Sequence, residues 1–312
     1  MPRRSQQDVP ENLRKELVGL LTNFESLLAT KNLRAEVQAL VPAYHLLRDL
    51  GCSLIPRNLA SSARQRILYY LQKYPSTVIP GEELMVVAGI GEWARRVREL
   101  RVEFGWSIVS GVTAKEMFAE GEFPAEGIQA NDLGPDDYIL TDIKQDRDAA
   151  HRWHVANEIR REGLSIRDSI LKHFRRNVGK PVTGEELRYV AGDRQEWPRR
   201  IRELRTEFGW PIATKNTGRP DLPVGVYVLE SDRQTPSHDR SIPDPVRCAV
   251  LERDKYRCTH CGWHHGKWNR SDPRHLELHH KTHHARGGAN TEDNLETVCT
   301  VCHDDIHRKE HK

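Results

Sequence analysis

Cys258-Thr-His-Cys-Gly262 and Cys299-Thr-Val-Cys-His303 flank a third segment, Leu278-His-His-Lys281, near the C-terminal end of this 312-residue chain. Two C-x-x-C pairs at this distance are typical of a tetrahedral zinc site with four thiolate ligands. A redox-active dithiol would require only one such pair, in a βαβ setting. We therefore predict a structural zinc ion held by Cys258, Cys261, Cys299 and Cys302.

Histidines lie beside each of these segments. His279 and His280 are adjacent, so on a regular strand their side chains would point to opposite faces and could not do the same work. His303 and His307 are four residues apart, which places both imidazoles on one face of a helix. A neutral imidazole is a suitable base or metal ligand near pH 7. The pattern therefore indicates a second, histidine-rich site beside the cysteines.

In the order of its motifs, the segment Pro245 to His307 resembles the HNH (ββα-metal) endonuclease family. The resemblance implies a DNA nuclease that hydrolyses phosphodiester bonds and leaves 5′-phosphate and 3′-hydroxyl ends. It implies that His280 is the general base and that Asn294 braces the loop of this base. It also implies that His279 and His303 bind a catalytic divalent cation such as Mg²⁺.

Two further positions follow from the same resemblance. His307 is expected either to be an additional ligand of the cation or to have no catalytic role, and the sequence leaves both alternatives open. Arg286, before Gly287-Gly288, is expected near the substrate phosphate. The catalytic residues are thus predicted to be His280, Asn294 and His303, with the cation at His279, His303 and His307.

A duplicated module precedes this region. Gly81-Glu-Glu-Leu-Met-Val-Val-Ala-Gly89 recurs as Gly184-Glu-Glu-Leu-Arg-Tyr-Val-Ala-Gly192, and the segment Glu92 to Trp106 recurs as Glu196 to Trp210. Each copy predicts three helices followed by short strands. Both copies resemble winged helix-turn-helix DNA-binding modules, which implies that the third helix of each copy reads DNA.

Arginines on the predicted outward faces of these third helices are the candidate DNA contacts. The alternative is a solvated charged face, since glutamates lie within one helical turn of several of them. We favour DNA contact because a nuclease-like domain is attached. With Arg286 from the C-terminal region, the predicted DNA-binding set is Arg95, Arg98, Arg199, Arg200, Arg202, Arg205 and Arg286.

The sequence predicts an α+β, multidomain chain. Residues 1–58 are expected to form a helical region, and residues 143–164 a connecting helix. The winged-helix repeats are expected at 59–142 and 165–232, the latter followed by a Pro-rich linker at 233–245. Residues 246–312 are expected to form the zinc-stapled HNH domain.

Composition narrows the class of protein but does not by itself identify its binding partner. The chain has 48 Lys and Arg against 45 Asp and Glu, so bulk charge alone does not indicate nucleic acid. No apolar run approaches the length of a membrane span, and the first residues lack a secretory signal, so we predict a cytoplasmic protein without membrane contact.

The predicted partner is double-stranded DNA, and the predicted biological role is that of a sequence-specific restriction-type enzyme. One HNH centre cuts one strand, so we also expect a homodimer at least on DNA. Two alternatives remain from the residues alone. The winged helices could read a methylated base, or the chain could be a DNA-binding regulator with an inactive HNH domain.

Overall fold

The structure is a computed structural model that describes residues 10–28, 32–123, 127–235, 242–267, 272, 274–282 and 288–310. The chain forms two compact units, residues 1–108 with 134–147, and residues 109–133 with 148–312. Within the described ranges, no helix combines the length and the apolar character needed to cross a membrane. Arg286 lies outside the described residues, as does much of the predicted linker.

A helical hairpin opens the first unit. It consists of α1 (Pro10–Leu28) and α2 (Leu33–Ser53). The Asn32 side chain accepts a hydrogen bond from the Ala35 amide and so caps the start of α2. Leu13 of α1 and Ala43 and Leu46 of α2 are buried, and the two helices pack along each other.

The first repeat follows, with helices around a small antiparallel sheet. Its elements are α3 (Ala63–Lys73), β1 (Ile79–Pro80), α4 (Gly81–Ala88), α5 (Trp93–Val102), β2 (Ser107–Ser110) and β3 (Asp137–Asp142). The strand order is β1-β3-β2, with Ile79 opposite Tyr138. The apolar faces of α3, α4 and α5 meet in one core that includes Ile67, Leu84 and Val97.

The segment between β2 and β3 departs from the predicted module at 59–142. It contains α6 (Gly111–Ala119) and belongs to the second unit. Glu116 of α6 accepts hydrogen bonds from Arg188 Nε at 3.0 Å and from Trp197 Nε1 at 2.7 Å, and both donors belong to the second repeat. Through these contacts, residues 109–133 pack against the second repeat, although in the sequence they lie within the first.

The second repeat has the same element order as the first. After α7 (Ala149–Arg161) it comprises α8 (Ile166–Arg175), β4 (Val182–Thr183), α9 (Gly184–Val190), α10 (Trp197–Thr206), β5 (Ile212–Ala213) and β6 (Val226–Leu229). The strand order β4-β6-β5 repeats that of the first copy, and Val182 opposite Tyr227 repeats the pairing of Ile79 with Tyr138. Duplication of the sequence thus corresponds to duplication of the topology.

A contact between glycine and tryptophan explains why the two repeated blocks occur together. A Cβ atom on Gly81 would lie 2.4 Å from Trp93 Cη2, and one on Gly184 would lie 3.1 Å from Trp197 Cη2. Each indole also meets a tyrosine edge-on, Trp93 with Tyr138 and Trp197 with Tyr227. Glycine at the start of the second helix therefore allows the indole of the third helix to pack against it.

Three buried polar side chains join α7, α8 and α9. Arg152 Nε donates to Glu186 at 3.0 Å, and His173 Nε2 lies 3.3 Å from the same carboxylate. Burial disfavours the ionised Glu186, but Arg152 and His173 together hold the pKa of this carboxyl below its usual value. The predicted connecting helix is in this way fastened to the second repeat.

The C-terminal part is a ββα unit preceded by a helix. It contains α11 (Asp244–Arg253), the antiparallel strands β7 (Leu276–His280) and β8 (Leu295–Cys299), and α12 (Thr300–Glu310). Among its described residues, the buried apolar side chains form two small clusters, one around Val250 and Leu295 and one around Trp263 and Val298. A domain with so little apolar interior needs further cross-links to be stable.

Substitution of Gly81 tests the glycine–tryptophan contact. Gly81→Ala should destabilise the first repeat by about 1–3 kcal/mol, because the new methyl group overlaps the partly buried indole of Trp93. Thermal unfolding of the full chain measures this effect. Gly91→Ala is the matched control, since a Cβ there meets no atom within 4 Å. Equal unfolding midpoints for the two variants would contradict the explanation.

Candidate functional site

Four cysteine side chains come together where the turn that contains Cys258 and Cys261 approaches the start of α12. Their sulfur atoms lie within 4.8 Å of one another, and Cys261 Sγ is 3.7 Å from Cys299 Sγ. With zinc–sulfur bonds of about 2.3 Å, a tetrahedral site has sulfur–sulfur edges of about 3.8 Å. The four thiols are unbridged, and their spacing fits a zinc ion.

The electrostatics of Cys258 favour metal binding. Burial opposes ionisation of this thiol, but hydrogen bonds from the backbone amides of Cys261 and Cys299 outweigh it and lower the pKa of Cys258 to about 7. The thiolate is the form that binds zinc. The predicted ligands Cys258, Cys261, Cys299 and Cys302 are brought together, and Cys258 favours the thiolate, whereas burial and the neighbouring thiols raise the pKa of Cys299 and Cys302.

Three of the predicted histidines form a second cluster. Donor nitrogens of His279, His303 and His307 lie within 4.8 Å of one another. His303 and His307 are one turn apart on α12, with their Nε2 atoms 3.0 Å apart. His279 reaches them from β7, and its ring centroid is 5.2 Å from that of His303. The donor set fits a divalent metal ion that accepts imidazole ligands.

Glu277 holds one of these imidazoles from behind. It lies two residues before His279 on β7, hence on the same face of the strand. Its carboxylate is 2.6 Å from His303 Nδ1 and 3.1 Å from His275 Nε2. Burial opposes its ionisation, but the hydrogen bonds with His275 and His303 hold the pKa of Glu277 well below its usual range. A carboxylate in this position directs the other ring nitrogen of the histidine towards a cation.

His280 is buried and belongs to a different set of contacts. Its Nε2 lies 2.7 Å from Asn290 Oδ1. Since an amide oxygen only accepts hydrogen bonds, this contact assigns the proton to Nε2 and the lone pair to Nδ1. Asn290 therefore determines which nitrogen of His280 is basic.

Asn294 braces both ends of the loop after β7. Its Oδ1 accepts from the Thr282 amide at 2.9 Å, while its Nδ2 donates to the carbonyl oxygens of Thr282 and Ala289. The backbone of Gly288 also lies close to Thr282, since a Cβ atom on Gly288 would be 1.8 Å from the Thr282 carbonyl oxygen. Asn294 thus has the geometry of a loop brace.

A cavity of about 310 Å³ opens beside the histidine cluster. Glu277, His303 and His307 line it, together with Arg233 and Arg247. The imidazoles of α12 are therefore accessible from a side that carries guanidinium groups.

Comparisons with known families agree with these two sites. A model of the HNH endonuclease family matches residues 258–309, which contain both clusters. A model described as the KpnI N-terminal domain, from a restriction enzyme family, matches residues 64–141 and 167–230. The two matches support an HNH nuclease of the restriction type. Among curated proteins and among solved structures, no match was found.

The KpnI-type region of this endonuclease coincides with the two repeats. On α5, Arg95 and Arg98 are exposed, and Arg95 contacts Glu92 at 3.6 Å and Glu99 at 3.4 Å. On α10, Arg199 and Arg200 both pair with Glu203. The charged face considered as an alternative is thus present on both helices, although it leaves most of these side chains at the surface.

Two arginines of α10 differ from the prediction in their surroundings. Arg202 pairs with Glu120 at 2.6 Å, just beyond the end of α6. Arg205 is only 3% exposed, and its guanidinium pairs with Glu122 and Asp244. Because a buried, doubly paired guanidinium cannot reach a base or a phosphate, the assignment of Arg205 to the DNA-contacting set is corrected to a structural one.

Sequence patterns missed the residues that position the predicted ones. Glu277, Asn290 and His275 lie among the motif residues, but only the paired strands and the loop bring them to their partners. The alternation Glu277-Leu-His279 was the single available signal, since it places a carboxylate and a predicted ligand on one strand face.

Substitution of a cysteine ligand tests the zinc site of the HNH domain. Dialysed protein should contain one tightly bound zinc ion per chain, as measured by elemental analysis. Cys299→Ser should lose this ion and unfold the C-terminal domain, because the metal supplies much of the folding free energy of a small domain. Cys248→Ser, whose thiol lies outside the cluster, should keep it. A full zinc content in Cys299→Ser would contradict the assignment.

Proposed function

We propose that this chain cuts double-stranded DNA at a specific sequence, with His280 as the general base and a divalent cation at His279, His303 and His307. The observation that carries the proposal is that His279 and His280, adjacent on β7, have different surroundings. Three imidazoles converge within 4.8 Å on one side, while the adjacent His280 makes separate contacts and lies outside that cluster.

His280 is suited to remove a proton. Its Nε2–H donates to Asn290, and we propose that Nδ1, which is buried in this structure, takes the proton of a water molecule as the water oxygen attacks phosphorus once DNA is bound. The bond from phosphorus to the 3′ oxygen then breaks, and the 3′ oxygen takes a proton from solvent. This leaves a 5′-phosphate and a 3′-hydroxyl. Asn294 keeps the loop after His280 in place throughout.

His279, His303 and His307 would hold the cation. When bound, a divalent cation supplies positive charge to the phosphate and to the leaving oxygen as negative charge builds there. Glu277 fixes the ring of His303 through Nδ1, so that Nε2 points into the cluster. The third imidazole favours His307 as a ligand over a histidine without a role. The proposed ion is Mg²⁺ or another divalent cation, and three imidazole ligands favour one that accepts nitrogen donors.

The two repeats are proposed to be winged helix-turn-helix modules that choose the DNA site. Support comes from the order helix, strand, helix, helix, strand, strand in each copy, with three-stranded antiparallel sheets. In this proposal α5 and α10 are the recognition helices. Arg95, Arg98, Arg199, Arg200 and Arg202 are the candidate contacts of these helices, and Arg286 is a candidate phosphate contact.

Plasmid cleavage tests the proposed function directly. Purified protein with Mg²⁺ is incubated with methylated and unmethylated plasmids, and the ends of the fragments are sequenced. A single recognition sequence with 5′-phosphate ends, cut in unmethylated DNA, is the expected result. Cleavage restricted to methylated DNA would replace the proposal by a modification-dependent nuclease.

Replacement of His280 tests the assignment of the base. His280→Ala should cut about 10²–10⁴-fold more slowly, because no other group takes the proton of the attacking water. Its circular dichroism and zinc content should equal those of the wild type. His154→Ala is the control, an exposed histidine of α7 in an ion pair with Glu158. Cleavage by His280→Ala at the wild-type rate would show that another residue is the base.

Substitutions of Arg98, which is exposed, and of Arg205, which is buried, distinguish a role in DNA recognition from a role in stability. Arg98→Ala should lower affinity for the cognate site by about 1–3 kcal/mol and relax specificity at one position, with an unchanged unfolding midpoint. Arg205→Ala should lower the unfolding midpoint, because it leaves the buried Glu122 without its cation. Binding titrations and thermal unfolding of both variants check these results. An Arg98→Ala variant with wild-type affinity would remove α5 from the recognition surface.

A further inference from the structure

The N-terminal hairpin presents an apolar surface that the fold does not use. Among the described residues, more than half of the exposed large hydrophobic side chains lie between Pro10 and Leu54. This density is far above that of the rest of the described chain. Exposed apolar patches of this kind mark interaction sites in soluble proteins.

The pattern on α2 identifies the kind of interaction. One set of apolar side chains recurs at alternating intervals of four and three residues along the outward face of the helix. This is the heptad spacing with which two helices pack side by side. We call this set the α2 seam; its members and exposed fractions are Leu33 (74%), Val37 (54%), Leu40 (41%), Tyr44 (68%) and Leu47 (57%).

The packing of α1 does not account for this seam. The inner face of α2 buries Ala43 and Leu46, and α1 contributes Leu13 to the same interior. One side of α2 is thus occupied within the hairpin, while the α2 seam lies on another side. A helix with two apolar faces needs a second partner.

The seam continues into a groove formed with α4. This groove has a volume of about 780 Å³, and Tyr44, Leu47, Leu54, Met85 and Val86 are among the residues that line it. Together with the α2 seam, these side chains form one continuous, exposed apolar surface.

We propose that the α2 seam and the adjoining groove bind the same surface of a second copy of this chain. A two-fold interface requires a self-complementary surface, and a heptad seam of uncharged side chains is one. The α2 seam contains no lysine or arginine, and the two arginines of the groove are each paired with an acid, Arg14 with Glu11 and Arg48 with Asp49, so the surface does not suit DNA, which binds through its phosphates. The dimer would supply the two HNH centres that cleavage of two strands needs, and in this respect alone the inference rests on the proposed function.

Sedimentation velocity of the full chain without DNA tests the proposal. At micromolar concentrations the wild type should sediment with twice the mass of one chain. Tyr44→Glu and Leu47→Glu each place a charge in the seam, so the apparent mass should fall by half while circular dichroism and zinc content stay unchanged. Gln38→Glu adds the same charge at an exposed position of α2 outside the seam and should remain dimeric.

Two results would overturn the interface. One is a wild-type chain that is monomeric at every concentration, and the other is a dimer that forms equally well in both seam variants. Leu33→Glu replaces either variant if it fails to fold, since Leu33 is the most exposed member of the seam.

Plasmid assays keep this test distinct from that of the nuclease. Monomeric seam variants should accumulate nicked circles at protein concentrations where the wild type produces linear DNA. A wild type that dimerises through the seam but cuts neither strand would contradict the proposed function and leave the interface intact.

Discussion

Four sulfur atoms determine the position of almost everything in the C-terminal domain. Cys258 and Cys261 lie in the turn after α11, whereas Cys299 ends β8 and Cys302 lies in the first turn of α12. The apolar clusters of this domain are small, so the cysteine site contributes much of the stabilisation that holds its two ends together. Since His303 follows Cys302 directly, the site that holds the helix also sets the first imidazole of the histidine cluster. Loss of the sulfur site would therefore remove the geometry of the histidines as well.

The two repeats depend on a different constraint, the space available for one tryptophan side chain rather than the coordination of a metal. A glycine at the first position of α4 and of α9 leaves room for an indole from the following helix. The indole in turn meets a tyrosine of the central strand, which ties the helices to the sheet. The same glycine, tryptophan and tyrosine occur at equivalent places in both copies, so duplication preserved a packing arrangement and not only a sequence. This explains why both blocks of the repeated sequence are needed together.

Local sequence patterns predicted what depends on neighbours along the chain. The paired cysteines, the strand with His279 and the helical turn from His303 to His307 all follow from spacing of this kind. Glu277 and Asn290 were missed because their partners lie on other elements, and short-range periodicity carries no information about strand pairing. The position of α6 was missed for the same reason. Glu116 of α6 and Glu122 just after it meet the second repeat, and only the tertiary structure reveals that Arg205 is buried against Glu122 and Asp244.

The burial of Arg205 also has a consequence for how such an enzyme changes over generations. A substitution at Arg205 disturbs the packing of α10 before it alters any contact with a ligand. Arg98 on α5 is exposed, so its replacement leaves the interior of the first repeat intact. Exposed and buried arginines on these helices therefore differ in mutational freedom. Substitutions at an exposed position such as Arg98 can accumulate over generations at little thermodynamic expense, while Arg205 is held in place by its contacts with Glu122 and Asp244.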